Sequence, residues 1–181
     1  VLFLFVALFK EQIVAIPIPG TSATLIDSQY WGGLDIVPFL LLAYWFHGWY
    51  INFSSGIFIK EKTRVFYKIT LMGAAVTIVA NLLLIPHFGM SGSAAATLIS
   101  YGTMAVTLGI YSKKVMDVPY RLPESFSLMV LMAALVFFEP VAAELLNTGS
   151  IAVRLVLIGT GLLITAAYLK RFITEEKNPG K

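Results

Sequence analysis

Cysteine is absent from the 181 residues, and charge is scarce: Asp, Glu, Lys and Arg make up 13% of the chain, against about 25% in an ordinary soluble domain. Without cysteine there is no disulfide, no thiol nucleophile and no Cys-type zinc or iron–sulfur site. The shortage of charge goes with 58% hydrophobic residues and a mean hydropathy of +0.83. That balance excludes a soluble globular domain and, with so much apolar surface, a disordered chain as well. A net charge of +3 offers no electrostatic footprint for nucleic acid. Also missing are a glycine-rich phosphate loop, a nucleophile elbow and any His/Asp/Glu group at metal-ligand spacing. The two histidines, His47 and His87, lie far apart in the chain. No catalytic residue, metal or cofactor is expected, and no enzyme reaction finds a residue set to carry it. What remains is an all-α integral membrane protein.

Long apolar runs are what the sequence has in abundance. About 20 mostly apolar residues are needed to cross a hydrocarbon core of ~30 Å. Five segments meet that requirement: 36–59, 69–86, 93–112, 126–145 and 150–169. A sixth, 1–18, carries Lys10 and Glu11 in its interior and opens already inside an apolar run (VLFLFVALF). From that opening we expect a piece of a longer protein whose first helix is truncated. The runs lack the alternation of barrel strands, so six transmembrane helices are expected.

The basic residues set the orientation. The connection 60–68 holds Lys60, Lys62, Arg64 and Lys68; the connection 113–125 holds Lys113, Lys114 and Arg121; and the tail from 170 onward holds Lys170, Arg171, Lys177 and Lys181. The alternate connections 19–35, 87–92 and 146–149 hold none. The first set therefore faces the cytoplasm, as does the C-terminal tail 170–181. The other face carries Asp27 and Asp35, with Glu139 and Glu144 near that face.

The stretch 78–97 (IVANLLLIPHFGMSGSAAAT) reads as a helical hairpin. Pro86 is expected to end one span, because it cannot continue the hydrogen-bond ladder, and Gly89 and Gly92 to form the tight turn. Gly92, Ala96 and Ser100 are four apart, a spacing that lets two membrane helices approach closely. Thr70, Gly73, Thr77 and Asn81 make a small or polar stripe on the preceding helix, from which Asn81 is expected to hydrogen-bond across the hairpin. The plain reading of all these residues is packing.

This hairpin resembles that of the Wzx-like polysaccharide flippases, members of the multidrug/oligosaccharidyl-lipid/polysaccharide exporter superfamily. The likeness lies in the Asn-Leu-Leu-Leu-Ile-Pro run, the Phe-Gly turn and the following Gly-Ser-Ala-Ala-Ala-Thr. Before it stands an aromatic span from Tyr44 to Tyr50 and a basic loop with Lys62 and Thr63. After it a span ends in Lys113-Lys114, followed by Val118 to Tyr120. The resemblance covers about 30–125; elsewhere only hydropathy agrees. It implies the C-terminal part of a two-lobe, fourteen-helix transporter: 1–112 as most of the second lobe, and 126–169 as two additional helices. It also implies a bacterial inner-membrane flippase for a lipid-linked oligosaccharide, working by alternating access in surface polysaccharide biosynthesis. A polysaccharide polymerase or glycosyltransferases would be its partners beside the bilayer. Two other readings stay open: an ion-coupled exporter of the same superfamily, or a non-transporting subunit of a polysaccharide synthesis complex.

Ionisable and polar residues inside spans are functional candidates by default. Lys10 either snorkels to the outer interface or faces a cavity and attracts an anionic headgroup. Arg154, one turn into the last span, either snorkels or meets a lipid phosphate or Glu144. His47 is either a buried histidine bonded to a neighbouring helix or a donor to sugar or phosphate; Tyr44 and Asn52 complete the candidate substrate-binding set. Trp31 suits an interfacial belt, and Trp45 with Trp49 face lipid or a sugar.

Overall fold

In hydrocarbon a backbone must satisfy its own hydrogen bonds, and a continuous apolar run does so as a helix. A computed structural model describes residues 2–20, 24–115, 122–145 and 150–177 and is all-helical; among the described residues the only strand-like pairing is one bridge between Pro17 and Thr24. The helices are α1 (Leu2–Val14), α2 (Val37–Ile59), α3 (Arg64–Val115), α4 (Leu122–Leu145) and α5 (Ser150–Lys177). A 3₁₀ segment, Ser28–Ile36, leads into α2. Ser28–Ile59, Arg64–Val115 and Ile151–Arg171 are long and apolar enough to cross a membrane.

Two boundaries depart from the sequence reading. The helix in 1–18 stops at Val14, so its 13 residues span only about 20 Å at 1.5 Å per residue. Pro17 and Pro19 follow directly, and neither donates to a helix ladder. The connection 19–35 is not all loop, because its last residues wind into the 3₁₀ turn.

The chain forms two compact units, Gln29–Tyr120 and the pair Val1–Ser28 with Arg121–Lys181. The first is built from α2 and α3. At 52 residues, a straight α3 would run about 78 Å, more than twice a hydrocarbon core. It folds back instead. At Gly89 the backbone takes φ +54°, ψ −129°, a region open to glycine and costly to any residue with a Cβ. The partners on either side are symmetric about that point: Gly73 lies against Met104, Thr77 against Ser100, and Leu84 against Gly92.

Pro86 does not end the first arm, which continues through His87 and Phe88; the reversal waits for Gly89. A proline leaves φ helical and removes only one donor, so it weakens the arm without reversing it. Gly92 is likewise not part of the turn. It is buried, and a Cβ there would stand 2.4 Å from the Leu84 carbonyl oxygen. Its role is close backbone approach. Ala96 is fully buried one turn further on, followed by Ser100.

Helix α2 lies on both arms. The Phe53 ring covers Gly109, where an added Cβ would meet it at 2.9 Å, and Phe58 stacks on Phe66 at 4.7 Å.

The second unit brings α1, α4 and α5 together around Leu4, Leu8, Met132, Ala142, Val153 and Leu157. Thus α1, which the resemblance groups with 1–112, packs here with α4 and α5.

Candidate functional sites

Among the described residues, polar groups gather at one place in the second unit and at two in the first. In the second unit they centre on Arg154, whose side chain is only 11% exposed. A guanidinium does not lose its proton, so in an apolar helix it must find acceptors. Arg154 Nε donates to Glu139 Oε1 at 2.8 Å, and Nη1 donates to Gln12 Oε1 at 3.0 Å. Nη2 lies 3.7 Å from Glu11 Oε2. The Glu139 carboxylate is as enclosed as its partner, whereas Glu11 is largely exposed. α1 kinks at Phe9, where φ is −105° and ψ 15°, just before the two residues it contributes.

The partner of Arg154 is therefore Glu139, not Glu144. Depth explains the choice. Arg154 stands four residues after the start of α5 and Glu139 six before the end of α4, about 6 Å and 9 Å along their axes. Glu144 sits in the last turn of α4, and its side chain is exposed. The guanidinium of Arg154 turns into the protein, with two of its donors taken up by Glu139 and Gln12. Glu139, Gln12 and Glu11 are the site residues that sequence reasoning missed. The available signal was depth matching between one buried cation and one mid-span carboxylate. Lys10 is half-buried on the same short stretch of α1.

In the first unit, His47 sits among tyrosines. Its ring stacks on Tyr50 with centroids 6.0 Å apart, lies 5.0 Å from Tyr101 on α3, and meets Tyr44 edge-on at 6.4 Å. Tyr44 itself meets Tyr101 at 6.0 Å. Tyr44 and His47 are thus brought together, one turn apart on α2 and capped by one ring from α3. Asn52 is not part of this group: five residues on, it lies about 140° round the helix and is exposed. Trp45 and Trp49 pack on each other at 4.3 Å, and Trp49 continues onto Phe53. Trp31, in the 3₁₀ segment, is exposed.

The hairpin supplies a third polar group. The Ser100 hydroxyl donates to the Gly73 carbonyl at 2.9 Å. The Thr77 hydroxyl lies 2.8 Å from Ser100 Oγ and 2.9 Å from the same carbonyl, with one proton to share between them. Asn81 does not reach across: its Nδ2 donates to the Thr77 carbonyl on its own arm at 2.9 Å. The bonds across the hairpin are those of Ser100 to the Gly73 carbonyl and of Thr77 to Ser100. Among the described residues no group of three or more His, Asp or Glu side chains is arranged to hold a metal ion.

The arrangement offers a charge cluster enclosed among apolar helices, a histidine with an aromatic surround, and a hairpin sealed by hydroxyls. Compared with family models, with curated proteins and with solved structures, the chain finds no match.

Proposed function

We propose that the protein is part of a flippase that carries a lipid-linked oligosaccharide across the bacterial inner membrane by alternating access. The observation that carries this reading is the hairpin: its Asn81-to-Thr97 sequence resembles that of the Wzx-like flippases, and it folds as two apolar arms reversed at Gly89 and in close approach at Gly92. The resemblance implies six crossings within this chain and fourteen in the whole transporter, with the tail 170–181 in the cytoplasm. The chemistry requires a protein path. Moving sugar hydroxyls and a pyrophosphate into hydrocarbon costs roughly 2–7 kcal/mol for each unpaired polar group. Tyr44 and His47, presented on one face of α2 with Tyr101, suit contact with a sugar ring and its hydroxyls. Lys10 suits an anionic phosphate. The isoprenoid tail would stay in lipid. An apolar groove of about 460 Å³ along the hairpin, lined by Val76, Val79, Leu83 and Ile99 among others, has matching character.

The test reconstitutes the protein into liposomes carrying a fluorescent lipid-linked oligosaccharide in one leaflet. Label appearing in the other leaflet, and slowed by Lys10→Ala and by His47→Ala in folded protein, is the expected result. Drug or cation flux without lipid transfer would assign the exporter instead. One feature favours that second reading: the enclosed Glu139 carboxylate paired with Arg154 is a candidate ion-coupling group. Neither activity in folded protein would leave the non-transporting subunit.

A further inference from the structure

Helix α2 ends in a tight reversal. The Glu61 amide donates to the Phe58 carbonyl at 3.0 Å, and the Lys62 amide reaches back to the Ile57 carbonyl at 3.2 Å. This is the double bond pattern of a Schellman cap, which needs a left-handed residue between cap and continuation. That residue is usually glycine. Here it is Glu61, at φ +54°, and among the described residues no other residue apart from glycine has positive φ. The first turn of α3 then closes immediately, with the Phe66 amide on the Thr63 carbonyl at 3.0 Å. The connection is thereby held against the bundle end instead of extending from it.

The fold of this turn creates a cleft of about 470 Å³, lined by Glu61, Lys62, Thr63, Arg64, Lys68 and Tyr111, with Val65 the one apolar residue among them. Three cations face one carboxylate. None of Lys62, Arg64 and Lys68 forms an ion pair with a described carboxylate. Tyr111 comes from the far arm of α3 and adds a hydroxyl, and Lys113 and Lys114 follow it within one turn. A forked guanidinium, two ammonium groups and two hydroxyls at the end of an apolar helix bundle match the oxygens of a phosphate. Basic groups at a membrane surface attract anionic headgroups. Unlike a loose basic tail, these are collected by a defined turn around a concave space.

We propose that this cleft binds the phosphate of an anionic membrane lipid headgroup. This assignment is independent of transport: it needs only that α2 and α3 lie in a bilayer, and binding, not translocation, tests it. Lipid retention on the purified protein is titrated by native mass spectrometry, using vesicles of phosphatidylcholine alone and of phosphatidylcholine with phosphatidylglycerol. Preferential retention of phosphatidylglycerol is expected, with the Lys62→Gln/Arg64→Gln variant binding it roughly 30-fold more weakly. Lys113→Gln/Lys114→Gln removes the same charge outside the cleft and should change retention far less. Helix content and gel-filtration behaviour in detergent establish that each variant is folded. Inorganic phosphate, against a chloride control of equal ionic strength, separates the two sources of this chemistry. Phosphate that displaces the lipid where chloride does not would make a free phosphate species the occupant. Equal loss in both variants, or no preference for phosphatidylglycerol, would overturn the site.

Discussion

The two units hold their helices together by opposite means. In Gln29–Tyr120 the α3 arms touch through small side chains: Gly92 brings backbone against the Leu84 carbonyl, Gly73 receives the Met104 side chain, Ala96 is fully buried, and the polar contacts are those of hydroxyls. In the unit of α1, α4 and α5, the apolar cluster is joined to a buried charge network on Arg154. Both means suit apolar helices set among lipid tails. Between apolar helices in a bilayer there is little hydrophobic drive, so close packing and polar contacts supply the association. The small-residue seam gains by proximity and tolerates no bulk. The charged cluster tolerates irregular shape, yet cannot lose one partner without stranding the other.

The largest expected effect would break the charged side of this contrast. Arg154→Met leaves Glu139 enclosed without its counter-ion, and loss of one partner of a buried pair costs about 3–5 kcal/mol. Thermal unfolding in detergent should fall steeply for this variant and recover in Arg154→Met/Glu139→Leu. A double variant as unstable as the single one would mean that shape, not charge, holds α4 to α5.

Next comes the seam. Gly92→Ala should cost about 1–3 kcal/mol, the usual range for overpacking, because its Cβ would meet a backbone carbonyl. Gly73→Ala should cost less, since the atoms in its way are the flexible end of Met104. Comparing the two melting temperatures separates backbone contact from side-chain contact.

The smallest effect is the hydroxyl bridge. Ser100→Ala removes the bond to Gly73 and should cost about 0.6–1.7 kcal/mol, the range for such bonds between membrane helices. Ser100→Gly should cost at least as much, having lost the same bond.

How much of this was legible depended on the range of the interaction. The hairpin could be read because its determinants, Gly89, Gly92, Ala96 and the stripe of Thr77 and Asn81, repeat at helical spacing along one short stretch. Even there the division of labour was missed. Spacing says that small residues share a face, but which of Pro86, Gly89 and Gly92 reverses the chain depends on φ, and which polar group crosses depends on the axial register of the arms. The Arg154 network was less legible, because no local pattern links Gln12 to Glu139 and Arg154. The His47 surround lies between these cases: Tyr44 and Tyr50 follow from helical spacing, whereas Tyr101 arrives only through the packing of α2 on α3.

The same two seams set a timetable for making the protein. Thr77 and Ser100 are 23 positions apart, so every contact that closes the hairpin exists once its second arm has emerged, and chains fold locally as they are synthesised. Gln12 and Arg154 are 142 positions apart. During that interval α1 must wait without the partners that later cover Leu4, Leu8 and Gln12, so the period before α5 arrives is the step most open to a chaperone, a competing helix or a quality-control protease.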